Sequence, residues 1–287
     1  MRPPADRYAV LGNPVAHSQS PFIHAEFARQ TGEAVHYERV LCPMDDFVGT
    51  VRRFAAEGAR GCNVTVPFKF EAAALARHVS DAAGLAGAAN VLRFDDGGWS
   101  AHNTDGIGLV RDLLHNAGVS LAGQRLLLLG AGGAAAGVLG PLIEAGVHEV
   151  VVANRGLARA ETLVERHRAF AASRRGRIDA IDLGGLRRDR LGRFDLLVNA
   201  TASSLAGEAA PVDADLIRPG AFAIDLMYGP AAAPFLLWAA GHGLAGRDGL
   251  GMLVEQAAEA FAWWRGVRPA TGEVLQRLRD RLAAASS

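Results

Sequence analysis

The sequence predicts an α/β protein of two domains, each built on a mainly parallel β-sheet. Its 287 residues exceed the usual size of one domain. Short apolar runs alternate with longer helical stretches, which is the pattern of parallel strands joined by crossover helices. A glycine-rich turn at residues 130–134 lies in the middle of the chain rather than at its start. We therefore expect one complete domain before this turn and a second around it.

Strand and helix signals alternate through the first domain. Ser20 before Pro21 is a typical helix start, with serine at the N-cap and proline at the first helical position. A turn signal at residues 95–98 separates two short runs and predicts a hairpin. The predicted elements are strands at 7–12, 37–40 and 62–66, helices from 20 and over 45–57, the hairpin of 90–94 with 99–102, and a helix over 105–116 that ends before Gly118.

The second domain repeats this alternation and is followed by two more helices, at 251–265 and 272–284. An apolar stripe at helical spacing indicates that the first of these two helices packs into a core, so we expect both to pack back on the first domain. The stripe consists of Leu253, Ala257, Ala260, Phe261 and Trp264. The predicted strands of the second domain are 125–129, 149–153, 194–199 and 221–226, and its predicted helices are 134–145 and 155–175.

The composition argues against several classes of function. The 30 basic residues balance the 30 acidic ones, so bulk charge does not favour binding to nucleic acid or to an anionic membrane. The first residues lack the apolar segment of a signal peptide, and no apolar run is long enough to span a bilayer. Cys42 and Cys62 form no disulfide framework, and no His/Cys cluster has metal-ligand spacing. We expect a cytoplasmic protein without a metal.

The mid-chain turn has the context of a dinucleotide-binding site, because it joins an apolar run at 126–129 to a helix of small residues. In such a turn the first glycine permits the tight bend, and the second lets the backbone approach a pyrophosphate at the helix N-terminus. Such a turn can also serve tight packing alone, but its strand–turn–helix context favours a Rossmann-type domain. The turn consists of Gly130, Ala131, Gly132, Gly133 and Ala134, with Ala135 in place of the third glycine of the fingerprint.

The end of the next strand indicates which dinucleotide is bound. NAD-binding domains usually place an acidic residue there to accept a hydrogen bond from the ribose 2′-hydroxyl. Here Asn154 and Arg155 follow the strand, and Arg159 lies one helical turn further on. Guanidinium groups without a carboxylate suit a 2′-phosphate, so we expect NADP rather than NAD. The alternative is that both arginines are ordinary solvated helix charges.

Four polar segments stand out in the first domain, and three of them lie at strand ends or helix starts, where α/β sheets bind ligands. They offer hydroxyls, carboxamides, one ammonium and one carboxylate, which suit a small polyhydroxylated acid. Structural alternatives exist for several residues: Ser20 and Asp105 are good helix caps. Thr65 can satisfy a strand end, and Lys69 can be an ordinary surface lysine; Ser18 has no such alternative. The four segments are 17–21, 63–69, Asn90 and 103–106.

Motifs along essentially the whole chain make it resemble the shikimate dehydrogenase family. They occur in the order that the family shows, and the segments 63–69 and 248–253 are the most specific. The other matching segments are 12–14, 18–21, 103–106, 130–134, 154–155 and 199–201. The sequence departs from the family at positions where none of the implied catalytic groups is lost. These positions are Val91, His102, Gly156, Ala202 and Ala233.

The resemblance implies reversible reduction of 3-dehydroshikimate to shikimate with NADPH, in the pathway to aromatic amino acids. It implies that Lys69 is the catalytic acid and base and is paired with Asp105. Residues 1–105 with 250–287 would form the substrate domain and 106–249 the NADP domain, in a monomer or homodimer. The implied substrate ligands are Ser18, Ser20, Thr65, Asn90, Asp105, Tyr228 and Gln256. The implied cofactor ligands are Asp81, Gly130, Ala131, Gly132, Gly133, Ala134, Asn154, Arg155, Arg159, Thr201, Leu226, Gly249 and Met252.

Three alternatives remain open at the level of sequence: a quinate/shikimate dehydrogenase that also uses NAD, a folate-type dehydrogenase, and a non-catalytic NADP-binding sensor. The paired Ser18 and Ser20, and the arginine without a carboxylate at the cofactor loop, favour shikimate and NADP. The hydroxyl-rich first domain argues against a folate substrate. Lys69 and Asp105 argue against a sensor without catalysis.

Overall fold

A computed structural model describes residues 4–201 and 212–285 of the chain. The chain divides into two compact units, Met1–Gly108 with Val254–Ser287, and Leu109–Leu253. The chain passes from one unit to the other at two points, after Gly108 and after Leu253, and each point lies inside a helix. These helices begin at Asp105 and Leu250, close to the domain boundaries that the sequence suggests. Both units are α/β structures, as predicted.

The first unit is built on a six-stranded mixed sheet with the strand order β2-β1-β3-β5-β6-β4. β1 is parallel to β2 and β3, whereas β5 is antiparallel to both β3 and β6. β5 and β6 form the predicted hairpin. The elements are β1 Asp6–Gly12, α1 Ser20–Thr31, β2 Val35–Leu41, α2 Phe47–Ala56, β3 Gly61–Val64, α3 Lys69–Leu75, β4 His78–Val79, α4 Asp81–Ala86, β5 Val91–Arg93, β6 Ser100–His102 and α5 Asp105–Arg111. The sequence did not predict α3, β4 or α4, because each is too short to show a period.

The last two helices, α10 Leu250–Arg265 and α11 Gly272–Ala285, contribute to the core of this first unit, as the apolar stripe predicts. Phe261 is fully buried and its ring meets that of Phe27 on α1 in an edge-to-face contact at 5.8 Å. Trp264 lies 4.6 Å from the ring of Tyr8 and donates its indole N–H to the Leu92 carbonyl at 3.1 Å. Burying an aromatic side chain of this size stabilises a fold by about 1.5–3 kcal/mol, so these contacts fix α10 on the sheet.

The second unit is a doubly wound parallel sheet with the order β12-β11-β10-β7-β8-β9. The strand order reverses between β7 and β10, which is the point where such sheets bind ligands. Its elements are β7 Arg125–Leu129, α6 Gly133–Glu144, β8 Glu149–Asn154, α7 Leu157–Ser173, β9 Arg177–Asp182, α8 Arg188–Leu191, β10 Phe194–Asn199, β11 Ile217–Asp225, α9 Ala233–Gly241 and β12 Ala245–Arg247. The sequence did not predict β9, whose pattern is polar, the three-residue β12, or the helices α8 and α9.

Two local predictions were wrong in detail. Ser20 is the first residue of α1 rather than its N-cap; Gln19 occupies the cap position, and its side chain makes no capping hydrogen bond. The predicted helix over 105–116 is not α-helical throughout, because α5 continues as a π turn over Asp112–Asn116. None of the described helices is long and apolar enough to cross a membrane. Among the described residues, no group of three or more His, Cys, Asp or Glu side chains could hold a metal ion.

Candidate active site

Lys69 and Asp105 form a close, largely buried ion pair in the first unit. Lys69 begins α3 and Asp105 begins α5, and the Nζ–Oδ2 distance is 2.5 Å. The two side chains are only 12 % and 6 % exposed, so this is not an ordinary surface lysine. Lys69 is also the only lysine in the chain; the remaining cations among its 30 basic residues are all arginines. Arginine remains protonated in proteins, whereas lysine can release a proton, so this position retains the cation that can do acid–base chemistry.

Asn90 connects the ion pair to the rest of the polar cluster. Its Nδ2 lies 2.8 Å from Asp105 Oδ1, 3.0 Å from Thr104 Oγ1 and 3.1 Å from Gln256 Oε1. Its Oδ1 accepts from the Thr104 N–H at 2.8 Å. The structure therefore brings together Lys69, Asn90, Asp105 and Gln256 from four distant parts of the sequence.

Asn103 and Thr104 had no assigned role in the sequence prediction, although they lie in a segment that it singled out. Asn103 Oδ1 accepts from the Asp105 N–H at 3.1 Å, and its Nδ2 donates to the Ala88 carbonyl at 2.8 Å. Both side chains are buried, and they hold the backbone from which Asp105 projects. Their position directly before an acidic helix start is the signal that points to this role.

The predicted carboxylate-binding serines lie at the start of α1, with their hydroxyl oxygens 3.1 Å apart. Ser18 Oγ also accepts from the Ser20 N–H at 3.3 Å, and the Ser18 carbonyl accepts from the Arg39 guanidinium at 2.6 and 2.9 Å. Thr65 follows β3, and its N–H donates to the Leu11 carbonyl at 2.9 Å, which ties it to the end of β1. The three hydroxyls thus come from chain segments that leave the carboxyl ends of neighbouring parallel strands.

A neutral buried layer adjoins Asn90. The Tyr37 hydroxyl donates to Asn63 Oδ1 at 2.7 Å, and Asn63 Nδ2 donates to the Asn90 carbonyl at 3.1 Å. His24 stacks on the Tyr37 ring with a centroid distance of 4.1 Å. Complete burial lowers the pKa of His24 to about 3 and raises that of Tyr37 well above 10, so both rings stay neutral. Tyr37 looks like an ordinary strand residue in the sequence, so its hydrogen bond to Asn63 could not be predicted from the sequence.

In the second unit, the glycine turn has the backbone that its sequence predicts. Gly130 has φ +100°, and a Cβ atom there would lie 2.9 Å from the Ala200 carbonyl oxygen, so only glycine fits. Its N–H donates to the Ala153 carbonyl at 2.8 Å, which anchors the turn to β8. Gly132 is the N-cap of α6, and the space beside its Cα is open. The first N–H groups of α6 therefore surround a space in which an anion can bind.

The predicted 2′-phosphate ligands lie at the carboxyl end of β8. Asn154 ends that strand and donates through Nδ2 to the Gly156 carbonyl at 2.9 Å, which closes the loop before α7. Arg155 and Arg159 are exposed. In the sheet register Asn154 pairs with Asp182, whose carboxylate accepts from the Gly184 N–H at 2.8 Å. The roles of Asn154, Arg155 and Arg159 in binding a 2′-phosphate stay a prediction.

Three of the predicted nicotinamide-side residues lie near the carboxyl ends of β10 and β11: Thr201, Leu226 and Gly249. Thr201 Oγ1 donates to Asn199 Oδ1 at 2.7 Å, and Asn199 Nδ2 donates to the buried Asp225 Oδ2 at 2.9 Å. The backbone of Gly249 packs closely against Leu226, because a Cβ atom on Gly249 would lie 2.4 Å from the Leu226 carbonyl oxygen. Sequence reasoning assigned no role to Asn199 or Asp225, although both end strands beside predicted ligands.

The remaining predicted ligands divide between the units. Tyr228 and the nearly buried Met252 belong to the second unit. Asp81 belongs to the first unit, where it is the exposed first residue of α4. The Ser80 hydroxyl caps that helix by accepting from the Ala83 N–H, and it lies 2.7 Å from His102 Nδ1.

Four of the five departures from the family pattern have ordinary structural positions, and the fifth, Ala202, lies outside the described residues. Burial lowers the pKa of His102, so the ring is neutral where the family usually has Asp. Val91 is fully buried in β5, Gly156 is exposed before α7, and Ala233 begins α9. The ion pair of Lys69 and Asp105 is intact in a chain that carries these departures.

Comparison with known proteins agrees with these observations. Residues 10–92 match the family model described as the shikimate dehydrogenase substrate binding domain, and residues 112–207 match the one described as shikimate / quinate 5-dehydrogenase. Residues 249–279 match the shikimate 5′-dehydrogenase C-terminal domain. The NADP-dependent shikimate dehydrogenase of Acidovorax sp. (strain JS42) is 58 % identical over 280 residues, which cover 98 % of each chain.

Solved structures give the same result. The Ael1 enzyme of Pseudomonas putida is 45 % identical, with a TM-score of 0.83 and coverage of 96 % of this chain and 98 % of its own. The shikimate 5-dehydrogenase of Thermus thermophilus, solved in complex with NADP(H) and shikimate, is 35 % identical with a TM-score of 0.81, covering 96 % of this chain and 99 % of its own. The resemblance seen in the motifs is therefore confirmed: this chain belongs to the shikimate dehydrogenase family.

Proposed function

We propose that this enzyme catalyses the reversible, NADPH-dependent reduction of 3-dehydroshikimate to shikimate. The observation that carries the proposal is the buried Lys69–Asp105 pair, held by Asn90 within a cluster of hydroxyl and carboxamide groups. The 58 % identity to an NADP-dependent shikimate dehydrogenase over nearly the whole chain supports the same substrate and cofactor.

The ion pair suits the proton-transfer half of this reaction. When bound, NADPH would supply a hydride to the ketone carbon, and the developing negative charge on the carbonyl oxygen would require a proton in the same step. The Lys69 ammonium stabilises this negative charge and donates the proton, giving the alcohol. Asp105, whose carboxylate oxygen lies 2.5 Å from Nζ, orients the ammonium for the transfer. In the oxidation direction, neutral Lys69 accepts the hydroxyl proton.

The polar side chains of the first unit would recognise the substrate. Ser18 and Ser20 present two hydroxyls 3.1 Å apart, a spacing that suits donation to both oxygens of a carboxylate. Asn90 and Gln256 would bind the ring hydroxyls. Their carboxamides lie 3.1 Å apart, and Asn90 is hydrogen-bonded to Asp105, the partner of Lys69. Thr65 adds a hydroxyl from the end of β3, and Tyr228 of the second unit is the remaining proposed ligand.

The second unit would hold the cofactor. The open space at Gly132 and the start of α6 fit a pyrophosphate, which the N–H groups of residues 131–134 would surround, while Gly130 forms the tight turn before them. Asn154, Arg155 and Arg159 would bind the 2′-phosphate. The proposed residues on the nicotinamide side are Thr201, Leu226, Gly249 and Met252, and Asp81 of the first unit is a further proposed cofactor ligand.

Location and assembly are part of the proposal. Cys42 and Cys62 are both free and buried, which suits a reducing compartment, so we place the enzyme in the cytoplasm. We expect a monomer or a homodimer, which light scattering of the purified protein distinguishes.

A rate assay of the purified protein tests the proposed function. Shikimate and quinate are each offered with NADP and with NAD, and the formation of reduced cofactor is followed by absorbance. We expect turnover to be fastest with shikimate and NADP. Faster turnover of quinate, or equal use of NAD, would show a quinate/shikimate dehydrogenase instead, and no turnover with either acid would overturn the proposal.

A further inference from the structure

A buried ion pair lies next to residues 248–252 in the second unit. Arg247 Nη2 is 3.0 Å from Asp112 Oδ1, and the side chains are 13 % and 0 % exposed. Asn116 Nδ2 donates to the same carboxylate oxygen at 2.9 Å. Arg247 ends β12 and Asp112 begins the π turn after α5, so the pair joins two elements far apart in the sequence.

The Asp112 carboxylate also lies directly against the start of α10. A Cβ atom on Gly251 would lie 1.8 Å from Asp112 Oδ1 and 2.4 Å from Asp112 Cγ, so glycine is required for this approach. The Asp112 carboxylate thereby contacts the side chain of Arg247, directly before residues 248–252, and the backbone of Gly251 within them. Any shift of Asp112 is transmitted to the first turn of α10.

A second set of contacts fixes the same short segment from its other side. Asp248 Oδ1 accepts from the Leu250 N–H at 3.3 Å, and Oδ2 accepts from the Gly229 N–H at 3.2 Å. The Gly249 N–H donates to the Met227 carbonyl at 2.8 Å. Residues 248–252 are thus held between the turn after β11 and the Asp112–Arg247 pair.

We propose that Asp112 and Arg247 cancel each other's charge beside this segment, so that neither ionised side chain alone shifts the balance between oxidised and reduced cofactor. The inference rests on the proposed function, in which Gly249 and Met252 line the nicotinamide. The oxidised nicotinamide ring carries a positive charge and the reduced ring is neutral. Removing one member of the pair changes the local charge by one unit, with a sign that depends on which member is removed.

The two single variants therefore have opposite expected effects. Asp112→Asn leaves the Arg247 cation without its carboxylate partner, which disfavours the oxidised cofactor. Arg247→Gln leaves the Asp112 carboxylate without its cation, which favours the oxidised cofactor. We expect the ratio of the Kd for NADP⁺ to the Kd for NADPH to rise by about threefold or more in the first variant and to fall by a similar factor in the second. The double variant should return the ratio to the wild-type value.

Fluorescence titration of the full-length protein with NADP⁺ and with NADPH measures both constants. Glu149→Gln is a matched control, because it breaks another ion pair of the same sheet, Arg125–Glu149, whose side chains are 22 % and 23 % exposed. Arg125 and Glu149 are the first residues of β7 and β8, whereas Arg247 is the last residue of β12. Glu149→Gln should leave the ratio unchanged. Arg247→Lys, which retains the charge, should also keep the wild-type ratio.

Three results would overturn the inference. The first is that both single variants weaken NADP⁺ and NADPH binding in parallel, which is the effect of simple loosening. The second is a shift of the ratio in the same direction in both variants, and the third is a changed ratio in Arg247→Lys. If Asp112→Asn does not fold by circular dichroism, Arg247→Gln and Arg247→Met must still lower the ratio. A wild-type protein that binds neither cofactor would instead overturn the proposed function.

Discussion

Replacing the single lysine of the chain tests the proposed chemistry most directly. In Lys69→Arg the positive charge and a partner for Asp105 remain, but a guanidinium group does not release its proton at physiological pH. General acid–base assistance contributes about 10²–10⁴ in rate, which corresponds to about 3–5 kcal/mol of activation free energy. We therefore expect kcat to fall by this factor in Lys69→Arg and in Lys69→Ala alike.

The structure also predicts the cost of these changes in folding stability. Lys69→Ala removes the cation 2.5 Å from Asp105, whose side chain is 6 % exposed, but the Asn90 donor at 2.8 Å remains. Removing one member of a buried pair costs about 3–5 kcal/mol, and the remaining donor places this site near the lower value. The double variant Lys69→Met with Asp105→Asn leaves no unpaired charge, so it should recover most of the stability and none of the activity.

Initial rates of cofactor reduction with shikimate and NADP provide kcat and both KM values, and chemical unfolding provides the stability of each variant. Arg52→Ala, an exposed position on α2, is the control and should match the wild-type enzyme. The proton-transfer role of Lys69 is refuted if Lys69→Arg keeps kcat within about threefold of the wild-type value, because a group without a transferable proton would then suffice.

Three further predictions concern cofactor binding and stability. Arg155→Ala should raise KM for NADP by about tenfold, through loss of one charge-assisted contact, and leave KM for NAD unchanged. Arg166→Ala, at an exposed position on the helix α7 that follows this loop, should change neither KM; equal effects of Arg155→Ala on both cofactors would contradict the 2′-phosphate assignment. Gly130→Ala should cost about 1–3 kcal/mol in unfolding free energy and abolish measurable NADP binding in a titration, since its φ is +100° and its Cβ would meet the Ala200 carbonyl oxygen at 2.9 Å. His24 has a pKa lowered by burial to about 3, so the unfolded chain binds more protons below pH 6.5 and stability falls with pH in that range. In His24→Leu the loss of unfolding free energy between pH 7 and pH 5 should be smaller by about 2 kcal/mol in urea titrations, and an unchanged loss would contradict a neutral buried ring.

Several parts of the fold follow directly from local sequence. The apolar run at 126–129 followed by glycines predicted β7, the turn and α6, because strand and helix periods differ and only glycine accepts the backbone at Gly130. The stripe on α10 predicted its place in the core of the first unit. In contrast, the three residues of β12 form a strand only because β11 supplies a hydrogen-bonding edge, and β9 is a strand despite its polar residues because it pairs with β8.

Helix starts show the same limit on a smaller scale. Ser20 before Pro21 is a strong local signal for an N-cap, yet the helix begins at Ser20 itself, and the Ser20 side chain hydrogen-bonds to Ser18 instead. The π turn at Asp112–Asn116 has no local signal at all. Both outcomes depend on partners that are distant in the sequence or outside the element, which local propensity does not contain.

The sequence by itself determined the kinds of groups present: a glycine turn of the type that binds dinucleotides, arginines without a carboxylate after the next strand, and a lysine and an aspartate as candidates for proton transfer. Only the tertiary structure decided how these groups are held. Asn90 reaches Gln256, and Asp112 reaches both Arg247 and Gly251, because strands and helices distant in the chain pack side by side. Residue types and turns follow from local chemistry, whereas orientation, burial and the pairing of charges depend on long-range packing.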